Sequence, residues 1–286
     1  MGHLGLFHHV LRPPGATGHG GPAFYAVALV AIGVEAIWRL RVAHKGYAGL
    51  AAAATLGLAA GNLVFGVVNA LGLAAVFSLA YRVAPIHWPL DDWRTWAVGF
   101  VAVEFAYYWF HRLSHEVRWM WATHSVHHTP EQITFLSSIR LGWTNLFSAA
   151  WVVYLPLVLA GFDPRLVFGL LALDLNYQFF LHTEAKVSFG PLELILNTPA
   201  HHRVHHASNP SYLDRNYGGV VILFDRLFGT FAAERPDDTL RYGLVHPTTS
   251  KNPLRLAFGE WRRLFGDMAR AQSPLAAIKV ALGPPG

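Results

Sequence analysis

The chain has 286 residues, of which 53% are hydrophobic and only 14% charged, against roughly 25% charged in an ordinary soluble domain; this excludes a soluble fold with full polar cover and directs the search to long apolar stretches. The formal charge of +5 and the pI near 9.6 come from scattered Lys and Arg with no aromatic-basic recognition motif, so no nucleic acid is expected and anionic lipid headgroups account for the excess. Cysteine is absent, which excludes disulfides, thiolate ligation and iron-sulfur clusters, whereas histidine occurs 17 times and is clustered.

Residues 1–20 are rich in Gly, Pro and His, with too short an apolar run for a signal peptide, and read as a loose tail carrying His3, His8, His9 and His19. Phe24 to Leu40 is the first apolar run of spanning length, interrupted by Glu35 and closed by Trp38 and Arg39. Ala48 to Tyr81 is too long for one straight crossing and too short for two, so one long or bent span is predicted, with Thr55, Asn62, Asn69 and Ser78 its polar members. Trp93 to Phe110 forms a third segment, carrying Glu104. Asn145 to Phe162 and Leu166 to Leu181 form a fourth and a fifth, joined as a helical hairpin around Asp163-Pro164. The expected fold is therefore an all-α integral membrane protein with four or five transmembrane helices.

Positive residues set the orientation. Arg39, Arg41 and Lys45 follow the first span, Arg112 and Arg118 the third, Lys186 and Arg203 the fifth; the connection 83–92 has no Lys or Arg, and only Arg165 disagrees. Both histidine clusters thus face the cytoplasm. Further on, Pro253 to Ala271 spaces Leu254, Ala257, Phe258, Trp261, Leu264, Phe265 and Met268 as one helix face. That fits an amphipathic helix on the lipid surface or one packed on its neighbours equally well. With no repeat or linker, the expectation is one domain over 1–286: the tail, membrane helices with the first two histidine boxes over 24–182, a cap with the last box over 183–252, and the amphipathic segment 253–286.

His111 and His115 stand four residues apart, neighbours on one helix face that can reach one metal. In His124-Ser-Val-His127-His128 the flanking rings share a face and the middle one is offset, free to turn to a second ion. His202-Arg-Val-His205-His206 repeats that spacing. Between them Asp174, Gln178 and His182 form a polar stripe down the fifth span; ionisable groups in membrane helices are costly and usually functional. His182 is expected as a further ligand, with Asp174 and Gln178 orienting imidazoles or simply making a polar helix contact. Nine candidate ligands suit two ions; imidazole alone leaves zinc, copper, nickel and iron open. His44, His87 and His246 belong to no box, and His201 beside the last one stays undecided.

The order HxxxH, HxxHH, lone His, HxxHH resembles the fatty acid hydroxylase, or sterol desaturase, superfamily of membrane di-iron oxidases. Glu104 to Glu116 and Thr198 to Phe231 most resemble its alkylglycerol monooxygenase-like branch. The resemblance covers roughly residues 93–231. It implies a cytosolic helical cap over a small transmembrane bundle. It further implies that His111, His115, His124, His127, His128, His182, His202, His205 and His206 bind two iron ions, and that Asn216 and Tyr217 lie beside the site. One departure is Gln178, where some members carry a second histidine; it is either a weak ligand or an orienter. The implied chemistry is O₂-dependent hydroxylation, or desaturation, of a membrane lipid. With no GxGxxG fingerprint and no fused cytochrome b5-like segment, electrons are expected from a separate reductase, ferredoxin or cytochrome b5-type donor. The competing class, a metal transporter, would put its ligands at mid-membrane on broken helices. A zinc protease would need an HExxH, and a bis-histidine haem protein fewer histidines, facing each other inside the bundle.

Overall fold

The computed structural model describes residues 21–285, so the four histidines of the N-terminal tail lie outside the described residues. Among the described residues the fold is all helical, with two isolated antiparallel bridges, Leu196 to Val221 and Ala207 to Tyr242. Among the described residues two helices are long and apolar enough to cross a bilayer: α1 (Pro22–Arg41) and α2 (Gly49–Arg82). Then come α3 (Trp93–Glu116), α4 (Arg118–His124), α5 (Phe135–Ser138), α6 (Asn145–Ser148), a 3-10 turn (Ala150–Tyr154), α7 (Leu155–Leu159) and α8 (Pro164–Phe179). A second 3-10 turn (Gly190–Leu194), α9 (Pro199–His205), α10 (Leu223–Phe228), α11 (Pro253–Ala269) and α12 (Pro274–Leu282) complete the chain.

The 34 residues of α2 give about 51 Å at 1.5 Å per residue, longer than a bilayer core of about 30 Å. Its polar residues, unexplained by hydropathy, fasten the N-terminal part to the segments after α5. Thr55 accepts from Arg140 Nε (2.9 Å), Asn62 Nδ2 donates to Leu141 O (3.1 Å), and Asn69 both donates to Trp143 O and accepts from Leu146 N. Gly61 lets the Trp143 ring lie flat on the helix backbone; any Cβ there would overlap the indole. The other half of α2 packs Phe77 with Val103 of α3, Val158 of α7 and Leu166, Val167 and Leu170 of α8.

The fourth segment departs from expectation. Asn145 to Phe162 is not one helix but α6, a 3-10 turn and α7, with Ala149 at φ 58° between the first two. Pro156 is the physical reason for the later break, since it has no N–H and its ring opposes the Val152 carbonyl. The earlier break is reinforced by side chains that take up helix carbonyls: Ser148 Oγ donates to Asn145 O and Trp151 Nε1 to Leu146 O. The turn at Asp163-Pro164 does form, with Asp163 capping α8 by accepting from Arg165 N.

The helix expected near residue 253 is α11, capped by Asn252. It packs on α4, α2 and α12: Trp261 and Leu264 close on Ala122, and Trp261 Nε1 donates to Thr144 Oγ1 at 2.8 Å. Arg118 ties α4 to α11 through Asp267. The packing on neighbours is thus observed, while Leu254, Phe258 and Phe265 of the same helix stay exposed.

Candidate metal centre

The nine box histidines converge from four elements. His111 and His115 lie on the last turns of α3, His124 ends α4, and His127 and His128 follow in a turn closed by His127 N to His124 O and His128 N to Ser125 O. His182 stands just beyond α8, whose end is drawn in by short backbone bonds; His202 and His205 lie on α9 and His206 caps it.

They form two groups, each with its ring nitrogens within 4.8 Å of one another: His111, His115, His124, His128 and His205, and His127, His182, His202 and His206. The two HxxHH boxes exchange their middle members. In the first, His124 and His128 join one group and His127 the other; in the second, His202 and His206 join His127 while His205 crosses over. A shared helical spacing thereby serves both groups with opposite assignments.

Hydrogen bonds fix which nitrogens face inward. His111 Nδ1 donates to Tyr217 O (2.9 Å), His182 Nδ1 to Gln178 O (2.7 Å) and His205 Nδ1 to Arg215 O (3.0 Å). A backbone carbonyl can only accept, so these neutral rings carry their proton on Nδ1 and leave a bare Nε2. His111 Nε2 and His205 Nε2, like His115 Nε2, are buried with no hydrogen-bond partner. In the second group the Nε2 atoms stand 3.1 Å apart for His127 and His182, 3.0 Å for His182 and His202, and 3.1 Å for His202 and His206. In the first, His124 and His128 are 3.2 Å apart. Metal–nitrogen bonds of about 2.1 Å put neighbouring nitrogens about 3.0 Å apart at right angles and about 3.4 Å at the tetrahedral angle. Orphaned buried nitrogens at this spacing fit two cations, with no carboxylate or thiolate in either group.

Burial holds His124, His127, His128, His202, His205 and His206 well below the ordinary imidazole range, reinforced by neighbouring rings, and lowers His182 to about 4. All are neutral at pH 7, the state in which imidazole binds a metal.

The remaining expected residues fall around this centre. The Gln178 side chain joins neither group: Nε2 donates to Asp174 Oδ2 and Oε1 accepts from Tyr107 OH, both at 2.9 Å, tying α8 to α3. Its backbone carbonyl orients His182. His201 is buried outside both groups, edge-on to Phe231 at 5.2 Å. Asn216, at φ 59°, donates to His201 O and Ala232 O and accepts from Ala232 N. That positive φ turns the Tyr217 carbonyl onto His111 and lays its ring 5.3 Å from that of His115. His44, His87 and His246 lie on the surface, apart from both groups.

Three supporting residues escape the sequence patterns. Asp225 accepts from Tyr217 N (2.8 Å), Gly218 N (2.7 Å) and Thr230 Oγ1 (2.7 Å), so it holds the turn whose carbonyl orients His111. Glu104 Oε2 accepts from Val220 N and Val221 N, both at 2.9 Å, and fastens the same loop to α3. Asp214 Oδ1 lies 3.5 Å from His115 Nδ1. Only their position just after the last box, or inside the third span, hinted at them.

Two all-histidine groups lie side by side, and each could hold a metal ion. Residues 96–230, which hold every one of the nine, match the fatty acid hydroxylase family. Human alkylglycerol monooxygenase is 44% identical over 179 residues, 62% of this chain and 39% of that protein. The zebrafish (Danio rerio) alkylglycerol monooxygenase is 48% identical over 160 residues, 56% and 35%. Ornithine lipid hydroxylase OlsE of Rhizobium tropici is 30% identical over 156 residues, 53% and 47%. The chain thus spans less than half the length of these relatives. The matches support the fatty acid hydroxylase superfamily and, within it, the alkylglycerol monooxygenase-like branch. No solved structure matches the chain significantly.

Proposed function

We propose that the chain is a non-haem di-iron monooxygenase that hydroxylates a C–H bond of a membrane lipid. The observation carrying this reading is the division of nine histidines into two adjacent groups, together with relatives that are named monooxygenases and hydroxylases of lipids. Bound there, two iron ions would supply O₂ reduction and the oxidising power for C–H cleavage, by the balance RH + O₂ + 2e⁻ + 2H⁺ → ROH + H₂O.

The chain's own residues supply the setting. Tyr217 O, Gln178 O and Arg215 O hold Nδ1 protons and so keep Nε2 lone pairs inward. His111, His115, His124, His128 and His205 would hold one iron, and His127, His182, His202 and His206 the other. The unequal sets, five residues against four, would place the two ions in different surroundings. Electrons would come from a separate reductase, ferredoxin or cytochrome b5-type donor.

The membrane reading that goes with this activity has α1, α2, α3, the broken segment from α6 to α7, and α8 as crossing elements, the histidines on the cytoplasmic side, and the cap built from α4, α9, α11 and α12. At 16 residues, α8 is about 24 Å long and reaches most of a bilayer core of about 30 Å. The enzyme is tested by supplying iron-loaded protein in vesicles with a reductant-linked donor, ¹⁸O₂ and lipids, alkylglycerol first. One ¹⁸O atom entering lipid per turnover is expected. No O₂-dependent lipid product from fully loaded protein, or metal flux into the vesicles instead, would overturn it.

A further inference from the structure

The segment following α8 was expected to stand wholly in the cytosol, yet part of it is as apolar outside as a membrane helix. Leu227 is 71% exposed and Leu194 62%. Val187, Leu192, Ile195 and Leu223 are exposed around them. Arg226 joins the two pieces by donating to Glu193 O and Leu194 O, both at 3.1 Å, with its guanidinium over the Phe231 ring. The patch continues onto the outer face of α3 through Phe105, whose ring lies 5.4 Å from Phe224 and 6.3 Å from Phe228.

Depth follows from helix geometry. Trp93 and Trp96 open α3 behind Asp91 and Asp92, as interfacial residues do. From Trp93 to Phe105 is about 18 Å at 1.5 Å per residue, and a core of about 30 Å ends near residue 113. Phe105 and the α10 residues on it therefore sit about 12 Å inside the inner boundary of the hydrocarbon. Above α10 an apolar groove of about 550 Å³ runs along α3, lined by Ala97, Val98, Val101, Ala102, Phe105 and Phe224.

Non-helical backbone survives at such depth only if its polar groups are satisfied within the protein. Here they are. Glu104 takes Val220 N and Val221 N; Asp225 takes Tyr217 N and Gly218 N. Asn197 N pairs with Val220 O and Ile222 N with Ile195 O. A carboxylate inside α3 thus serves to dock a loop below the membrane surface.

We propose that residues 187–195 and α10 are embedded in the cytoplasmic leaflet as a lipid-immersed apron of the cap, and that an acyl chain of a bilayer lipid fills the groove between α10 and α3. The proposal rests on the reading of α3 as a crossing helix and is independent of the metal chemistry. Continuity with that helix favours lipid over a protein partner.

The chain has no cysteine, so single cysteines can be placed and nitroxide-labelled without background. Leu194→Cys, Leu227→Cys, Val101→Cys and Asp237→Cys are reconstituted in phosphatidylcholine–phosphatidylglycerol vesicles, and collision with O₂ is compared with collision with a water-soluble nickel chelate. Labels at 194 and 227 should match that at 101, O₂-accessible and nickel-protected, with 237 the reverse. Nickel access at 194 and 227 with 101 protected overturns the apron alone; nickel access at 101 as well removes the span on which it rests. Labels at 227 shielded from both reagents and dipolar-broadened mean a second copy covers the patch, which also overturns it. For the groove, phosphatidylcholine nitroxide-labelled on its chain should show a motionally restricted fraction that Val98→Trp and Ala102→Trp each reduce. A fraction unchanged by both variants overturns the acyl-chain seat.

Discussion

Asp225 offers a sharp test because it touches no histidine, yet holds the turn that orients one. Replacement by Ala removes the acceptor of three hydrogen bonds. Thr230 Oγ1 can turn to Tyr108 OH, already 3.1 Å away, which leaves Tyr217 N and Gly218 N as buried donors without a partner. At about 1–3 kcal/mol each, the loss is about 2–6 kcal/mol, a large part of a typical stability of about 5–15 kcal/mol. Because Tyr217 O holds His111 Nδ1, the same change loosens one ligand of the five-histidine group, and losses of orienting partners commonly cost about 10–100-fold in metal affinity. Asp225→Asn keeps one acceptor oxygen but presents an NH₂ to the second donor, so an intermediate loss is expected. Denaturant unfolding of metal-free protein in detergent, followed by chelator competition on iron-loaded protein, reads both effects. If Asp225→Ala stays within about 0.5 kcal/mol of the parent, as a surface change would, and keeps both metals equally well, the reasoning is refuted.

Three further outcomes follow from the same geometry. His182 stands within 3.1 Å of both His127 and His202, so His182→Ala should lower metal content from two ions to one per chain; retention of two contradicts the grouping. Gly219→Ala places a Cβ against the Asp174 carboxylate, which is buried and held by Gln178, and overpacking there should cost about 1–3 kcal/mol, read as a lowered unfolding midpoint; an unchanged midpoint contradicts the close approach. For pH, burial lowers His182 from 6.5 to about 4, so the unfolded chain binds the proton first as pH falls. Its contribution is complete above about pH 6.5, is lost as pH falls toward 4, and amounts to about 3 kcal/mol at 1.36 kcal/mol per unit. Metal-free protein whose stability is flat or rises from pH 7 to 4.5 would contradict this sign.

Local spacing made the histidines legible, because which rings of an HxxHH box share a helix face is decided within four residues. The offset of His127 and of His205 from their flanking rings is of this kind, though where each offset ring goes depends on a partner box about 75 residues away. What orients the rings was not legible: the acceptors for His111, His182 and His205 are backbone carbonyls, and a carbonyl has no sequence signature. Asp225 and Glu104 act on backbone N–H groups for the same reason. Hydropathy found the apolar stretch 145–162 but not its breaks at Ala149 and Pro156, since an average over a window is insensitive to one proline. Thr55, Asn62 and Asn69 looked like blemishes in a long span; they are the contacts by which α2 grips the segment after α5.

The proposed activity requires two irons in the two histidine groups of one chain. Anaerobic loading with ⁵⁷Fe, metal analysis and Mössbauer spectroscopy test it most directly. Two iron atoms per chain in two distinct environments, becoming an exchange-coupled pair on oxidation, are predicted. Active protein with one iron or fewer per chain and no coupled pair would contradict it.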